Sequence, residues 1–249
     1  MNSGDGISKF IKAVLFDLFD TLLLVERVDD LGERCIKNVY HFLARSGINV
    51  SFNAFMKAYS EVRKQIYERV DKYFEEPHFS VRILQTLMKL GYEYSNYIVT
   101  IAKGAAEAYM EELARHVYLD EEAIPVLQSL HESGYKTGVI SNFSIPEGAR
   151  KLIAEYGLKN FLDVIVISGE INRRKPCSEI FTTALNSLKV KSSEAVFVGD
   201  TPDTDIRGAK KVGIKTVLIN RWNIDISSAE DKPNFIIRSL KEILDLLRK

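Results

Sequence analysis

The sequence predicts an α/β protein with a Rossmann-like parallel-sheet core and an inserted all-helical cap domain. Three observations predict it. The apolar run Ile11–Phe16 is too short for a helix and stops at Asp17, as a strand buried on both faces would. From about Val28 to Val117 the chain carries helical periodicity with almost no proline or β-branched runs. From Leu119 onward, short apolar segments alternate with helical ones, the pattern of right-handed crossovers in a parallel sheet.

The expected organisation is a flexible N-terminus (1–10), a core made of 11–24 and 119–249, and a helical cap of 25–118. Breaks near Ser46–Ser51, Glu75–His78 and Gly91–Ser95 divide the cap into about four helices. The aromatic residues recurring there, among them Tyr40, Phe52, Phe55, Tyr59, Tyr67 and Tyr73, read as the core of a bundle. Beyond the cap, helix Glu121–Ser133 is closed by Gly134 and followed by strand Thr137–Ile140. Helix Pro146–Tyr156, closed by Gly157, leads to strand Val164–Ile167, and helix Ser178–Leu188 to strand Ala195–Val198. Helix Asp203–Val212, closed by Gly213, precedes strand Thr216–Ile219, and Phe235–Ile237 with helix Leu240–Leu247 ends the chain.

Lys plus Arg equals Asp plus Glu at 34 each, so net charge gives no reason to expect nucleic acid or an anionic membrane as partner. Two cysteines, Cys35 and Cys177, make no disulfide framework, and the four histidines have no zinc spacing. The opening MNSGDGISK lacks the apolar core of a signal peptide, and no apolar run nears the roughly 20 residues that span a bilayer. The expectation is a cytoplasmic protein without nucleic-acid or membrane partners, a monomer or a homodimer.

In an open parallel sheet, ligands bind beyond the carboxyl ends of the strands. Asp17 stands after the first strand, Ser141 and Asn142 after the second, and Gly199-Asp200 after a later one. The loop after strand Val164–Ile167 leads to Arg173-Arg174-Lys175-Pro176. An acid, a hydroxyl, a lysine and a second acid thus converge on one edge. Arg173 and Arg174 read as surface residues, as do Arg34, Lys37 and Arg45 of the first cap helix.

The run Phe-Asp-Leu-Phe-Asp-Thr-Leu (16–22), then Ile-Ser-Asn (140–142), Lys-Pro (175–176) and Gly-Asp-Thr-Pro-Asp-Thr-Asp-Ile-Arg-Gly-Ala (199–209), resembles the four ordered motifs of the haloacid dehalogenase superfamily. Motif order, and a helical cap after the first motif, extend the resemblance over nearly the whole chain. It implies that Asp17 is a covalent nucleophile. Asp20 is the rival, but the superfamily places Thr four residues after the nucleophile; Thr21 satisfies this for Asp17, whereas Leu24 stands four after Asp20. The resemblance further implies phosphoryl-binding hydroxyls at Thr21 and Ser141, with Asn142 of the same loop as a third substrate-binding residue, and a charge-offsetting, catalytic Lys175. It implies a Mg2+ ion held by Asp17, the Phe19 backbone carbonyl and Asp200, and Asp205 orienting metal water or Lys175. Asp203 reads instead as a carboxylate at a helix N-terminus. The implied substrate is a small phosphorylated molecule.

One departure matters. Superfamily phosphatases usually carry a second aspartate two residues after the nucleophile, as leaving-group acid and hydrolytic base; here that residue is Phe19. Such general acid–base help is worth about 10²–10⁴ in rate. Four readings compete: a phosphatase whose proton comes from elsewhere, a 2-haloacid dehalogenase whose halide needs none, a phosphonate hydrolase, and a non-catalytic binding protein. A phosphonate hydrolase needs a particular cap lysine, and Lys37, Lys57, Lys64 and Lys72 carry no such signal. Metal-free dehalogenases typically have uncharged residues in the fourth motif, where this chain has Asp200, Asp203 and Asp205. Carboxylates crowded near Asp17 raise one another's pKa unless a cation offsets them, so phosphoryl chemistry leads.

Overall fold

The structure is a computed structural model that describes residues 10–227 and 229–248. The expected flexible N-terminus lies outside the described residues apart from Phe10. In chain order the strands are β1 (Ala13–Phe16), β2 (Leu23–Val25), β3 (Val117–Leu119), β4 (Lys136–Ser141), β5 (Val164–Ile167), β6 (Ala195–Gly199), β7 (Lys215–Ile219) and β8 (Phe235–Ile237). The helices are α1 (Leu31–Arg45), α2 (Phe52–Tyr73), α3 (Phe79–Lys89), α4 (Asn96–Leu113), α5 (Ala123–Glu132), α6 (Pro146–Glu155), α7 (Ser168–Ile171), α8 (Ser178–Leu188), α9 (Arg207–Lys211) and α10 (Glu242–Leu247).

Among the described residues, six strands form one parallel sheet in the order β5-β4-β1-β6-β7-β8. Central β1 is buried throughout. Val14 and Phe16 join the core on one face, under α5 and α6, while Ala13 and Leu15 join that on the other, under α8. Burial on both faces is why these strands read as continuous apolar runs rather than alternating ones. Chain order departs from spatial order between β1 and its neighbours β4 and β6, and Asp17 emerges at that crevice.

Helices α1–α4 follow β2 and precede β3. They share their own core, in which Ile36, Val39, Leu43, Phe55, Ile83, Leu87 and Ala105 are buried. Ser51 and Ser95 cap α2 and α4, their hydroxyls accepting from Ala54 N–H at 3.2 Å and Ile98 N–H at 3.3 Å. Of the aromatics expected in this core, Phe55 and Tyr59 are buried, while Tyr67 and Tyr73 are exposed at 36% and 52%. The exposed pair sit toward the end of α2, where the Arg82 guanidinium of α3 lies 5.6 Å from the Tyr67 ring.

Two differences from the sequence reading bear on the site. Strands β2 and β3, three residues each, form an antiparallel pair through which the chain leaves and re-enters the sheet region. The segment expected as one helix from Asp203 to Val212 is a wide π-helical turn, Pro202–Ile206, followed by α9. No described helix is long and apolar enough to cross a membrane.

Candidate active site

Three strand ends and one loop build the site. Asp17 follows β1, its N–H donating to Val198 O at 2.8 Å, so the neighbouring strand fixes where the carboxylate begins. The chain then turns sharply: Asp20 takes a left-handed conformation at φ 57° and its N–H donates to Leu23 O at 2.6 Å. Arg221, on the loop after β7, staples this turn, donating to Asp20 O at 2.8 Å and Thr21 O at 3.0 Å while pairing with Asp120 at 2.7 Å. Sequence reading missed both Arg221 and Asp120, since neither stands in a motif and the staple joins residues about two hundred positions apart.

Lys175 is buried and donates to the Asp17 carboxylate, and its Nζ lies 2.7 Å from Asp205 Oδ1. Asn142 holds the lysine's backbone from both sides. It accepts from Lys175 N–H at 2.7 Å and donates to Lys175 O at 3.0 Å. Its amide is therefore engaged in positioning the lysine, although the residue also lines the cavity. Ser141, at the end of β4, is buried and lines the same cavity. Thr21 is buried in the stapled turn, and its hydroxyl has no partner among the described residues.

Beyond β6, Asp200 is half-buried and Asp205 fully buried. The π-helical turn folds Asp205 back so that its Oδ2 accepts from Thr201 N–H at 3.0 Å. Gly199 makes this approach feasible: a Cβ there would stand 2.4 Å from Asp205 Oδ2. One ligand oxygen each from Asp17, Asp200 and Asp205 lie within 4.8 Å of one another. Asp203 is exposed. The Phe19 ring packs on Phe143, centroids 4.8 Å apart, forming an aromatic wall where superfamily phosphatases usually have an acid.

Asp17, Phe19, Ser141, Asn142, Lys175, Asp200 and Asp205 line a cavity of about 290 Å³, whereas Thr21 is not among its lining residues. Arg174 lines it too, which corrects the surface reading of that residue; Arg173 is the outward one, paired with Glu179 at 3.0 Å. Arg34, Lys37 and Arg45 are exposed as expected. A larger cleft, about 810 Å³, opens between α4 and α6. Its floor of Ala106, Met110 and Leu152 is rimmed by Lys103, Glu107 and Lys151, and at its edge the Ser80 hydroxyl meets His78 at 2.7 Å, which meets the exposed Glu147 at 3.0 Å; the clustered aspartates and the buried lysine line the smaller cavity instead.

The family model of haloacid dehalogenase-like hydrolases matches residues 11–213. The chain belongs to this family. It is 32% identical over 244 residues to the glyceraldehyde 3-phosphate phosphatase of Methanopyrus kandleri, covering 96% of this chain and 98% of the relative. It is 28% identical to the ribulose-1,5-bisphosphate 5-phosphatase of Halopiger xanaduensis, covering 94% and 98%. Among solved structures, it resembles a phosphatase of the family from Thermococcus onnurineus at TM-score 0.66 and 28% identity, over 95% and 98% of the two chains. It also shares the fold of a 2-haloacid dehalogenase from Pseudomonas syringae at TM-score 0.73 and 23% identity, over 96% and 98%.

The electrostatics of the hydrolase's site are those of acid in excess. Burial pushes the Asp17 carboxyl up to about 8; the Asp205 and Asp200 charges push the same way against the pull of Lys175. Burial also raises Asp200 to about 6, helped by Asp205 and Asp20. Burial alone would lower Lys175, but Asp17 and Asp205 outweigh it and hold the ammonium above the ordinary lysine value. The lysine thus stays charged, and any proton the cluster retains at neutral pH belongs to its carboxylates. Three clustered carboxylates against one ammonium, all of them hard oxygen donors, fit a divalent cation such as magnesium. Asp205 faces Lys175 through Oδ1 and accepts from Thr201 through Oδ2, so Asp200 and the second oxygen of Asp17 are the carboxylate groups that would hold the ion.

Proposed function

We propose that this hydrolase is a magnesium-dependent phosphatase of small phosphorylated metabolites, with Asp17 as nucleophile. The observation that carries the reading is the placement of Asp17, Asp200 and Asp205 within 4.8 Å around the buried ammonium of Lys175. Such crowding disables a carboxylate nucleophile unless a cation joins it. The phosphatase names of the relatives support the same chemistry.

In this reading Asp17, the Phe19 carbonyl and Asp200 hold magnesium, which when bound neutralises carboxylate charge and stabilises the charge of the transferring group. Thr21 and Ser141 donate hydroxyl protons to phosphoryl oxygens, and Lys175 offsets charge beside them. Asp205 and Asn142 position Lys175. The Asp17 carboxylate attacks phosphorus in line; the ester P–O bond breaks, leaving an aspartyl phosphate, and the departing oxygen takes its proton from water because Phe19 offers none. Water then attacks phosphorus, releasing orthophosphate and restoring Asp17. Helices α1–α4 serve as a cap domain of 25–118 that opens for substrate and closes to exclude bulk water. The working unit is a monomer or homodimer, and two free cysteines suit a reducing cytoplasm.

The test is orthophosphate release from an aryl phosphate, whose leaving group least needs an acid. Turnover with magnesium that stops in EDTA and in Asp17→Asn is the expected result. The Phe19–Phe143 wall is the feature that would suit a halide leaving group. Chloride release from 2-chloropropionate without phosphate release would therefore replace this reading with the dehalogenase one.

A further inference from the structure

Among the described residues lining the small cavity, two are cationic, Lys175 and Arg174. Lys175 is committed to Asp17 and Asp205. Arg174 is not committed in the same way. Its Nε lies 3.4 Å from Glu76 Oε2, its terminal Nη atoms make no hydrogen bond among the described residues, and the side chain is 23% exposed. The guanidinium thus presents unused donors at the edge of the cavity.

Its position is set by the loop between α2 and α3. Arg174 N–H donates to Phe74 O at 2.9 Å, and Glu76 N–H donates to Asn172 Oδ1 at 3.0 Å. Glu76 is itself buried and sits beside the Ser168 hydroxyl at 3.5 Å. This clamp ties the Arg174 backbone to the α2–α3 loop, while the residue lines the cavity that Asp17 and Asp200 also line. In-line displacement places the leaving group opposite the attacking carboxylate. A leaving group that shares the cavity with a phosphoryl on Asp17 has Arg174 as the cation not already paired with the aspartates.

We propose that Arg174 is a specificity-determining residue that donates from its Nη atoms to acceptor oxygens on the leaving group. The substrate class is then a phosphomonoester with a short, oxygen-bearing tail, its acceptor a carboxylate or a carbonyl; this rests on the phosphatase reading. A planar fork with one nitrogen anchored is preorganised for such bidentate contacts. Phe19, backed by Phe143, gives the cavity an apolar side, and the guanidinium is the cationic contact there that the aspartates leave for the tail.

The experiment compares three three-carbon esters: 3-phosphoglycerate with a carboxylate, glyceraldehyde 3-phosphate with a carbonyl, and propyl phosphate with neither. For the wild type, kcat/KM for one or both oxygenated esters should exceed that for propyl phosphate by ~10-fold or more, the worth of a charge-assisted hydrogen bond. Arg174→Ala and Arg174→Gln should collapse that ratio, chiefly through KM, and Arg174→Lys should restore only part of it. The carboxylate and carbonyl arms show which acceptor is read. A ratio unchanged in Arg174→Ala, or three esters falling in step, would overturn the proposal; the latter would leave Arg174 only positioning Lys175. If the wild type turns over none of the esters, the phosphatase reading fails separately. Calorimetric binding of the same three esters to Asp17→Asn then decides the inference: preference for the oxygenated esters that Arg174→Gln abolishes upholds it, and equal affinities overturn it.

Discussion

Asp17 is the residue at which stability and chemistry pull apart. Its carboxyl is raised from 3.8 to about 8, so the folded state favours the protonated form more than the unfolded chain does. Stability contributed by that preference is present at low pH and is lost as pH climbs from about 4 toward 8. Asp17→Asn escapes this penalty. In EDTA at pH 8 it should melt above the wild type by at least ~2 °C, at about 2–4 °C per kcal/mol for a chain of this size. The advantage should shrink at pH 5; thermal unfolding at the two pH values checks both, and equal melting at pH 8 would count against the charge excess. Gly199 permits a second prediction. A methyl there meets Asp205 Oδ2 at 2.4 Å, so Gly199→Ala should displace the acid that holds Lys175. It should lower kcat by ~10-fold or more, comparable with the lower end of losing acid–base help, while circular dichroism stays native. Asp17, Lys175, Asp200 and Asp205 were legible in the sequence because motif spacing marks them. Arg174, Arg221 and Asp120 were not, because their partners, Glu76 and the turn at 20–21, come together only in the fold.

Legibility at the scale of elements follows length and burial. Strands β1, β5 and β6 announced themselves as apolar runs bounded by turns, and Ser51 and Ser95 stand where helix starts were expected. Ser51→Ala and Ser95→Ala should each cost about 1 kcal/mol in urea unfolding, the usual worth of a lost N-cap. A cost near zero in both would mean that the helix starts are held by packing alone. Strands β2 and β3 were illegible because three residues cannot display a period of two, and each is half of a pair whose partner lies some ninety positions away. The π-helical turn at Pro202–Ile206 was illegible for a different reason. Its composition suits an ordinary helix start, and the widened turn accompanies contacts of Asp205 with Lys175 and Thr201 that the sequence does not display.

At the scale of the molecule, the sheet fixes the acids and the lysine, while the α2–α3 loop ties the helical segment to that frame. Phe79 N–H donates to Ser144 O at 2.8 Å, and Arg174 N–H donates to Phe74 O at 2.9 Å, so one loop touches both segments that carry Ser141 and Lys175. The proposed selecting residue, Arg174, and the proposed catalytic Lys175 are thereby held where helical segment and sheet meet. The overall architecture was readable because apolar periodicity changes twice along the chain, at the two ends of the helical stretch. The claim on which everything else depends is that Asp17 takes the phosphoryl group. The direct measurement is an acid quench of the magnesium-loaded enzyme during turnover of an aryl phosphate, with mass spectrometry of the peptide spanning 13–26. The account predicts a phosphoryl adduct on Asp17 that disappears in Asp17→Asn and in EDTA. An adduct on Asp20, or phosphate release that persists in Asp17→Asn, would contradict it.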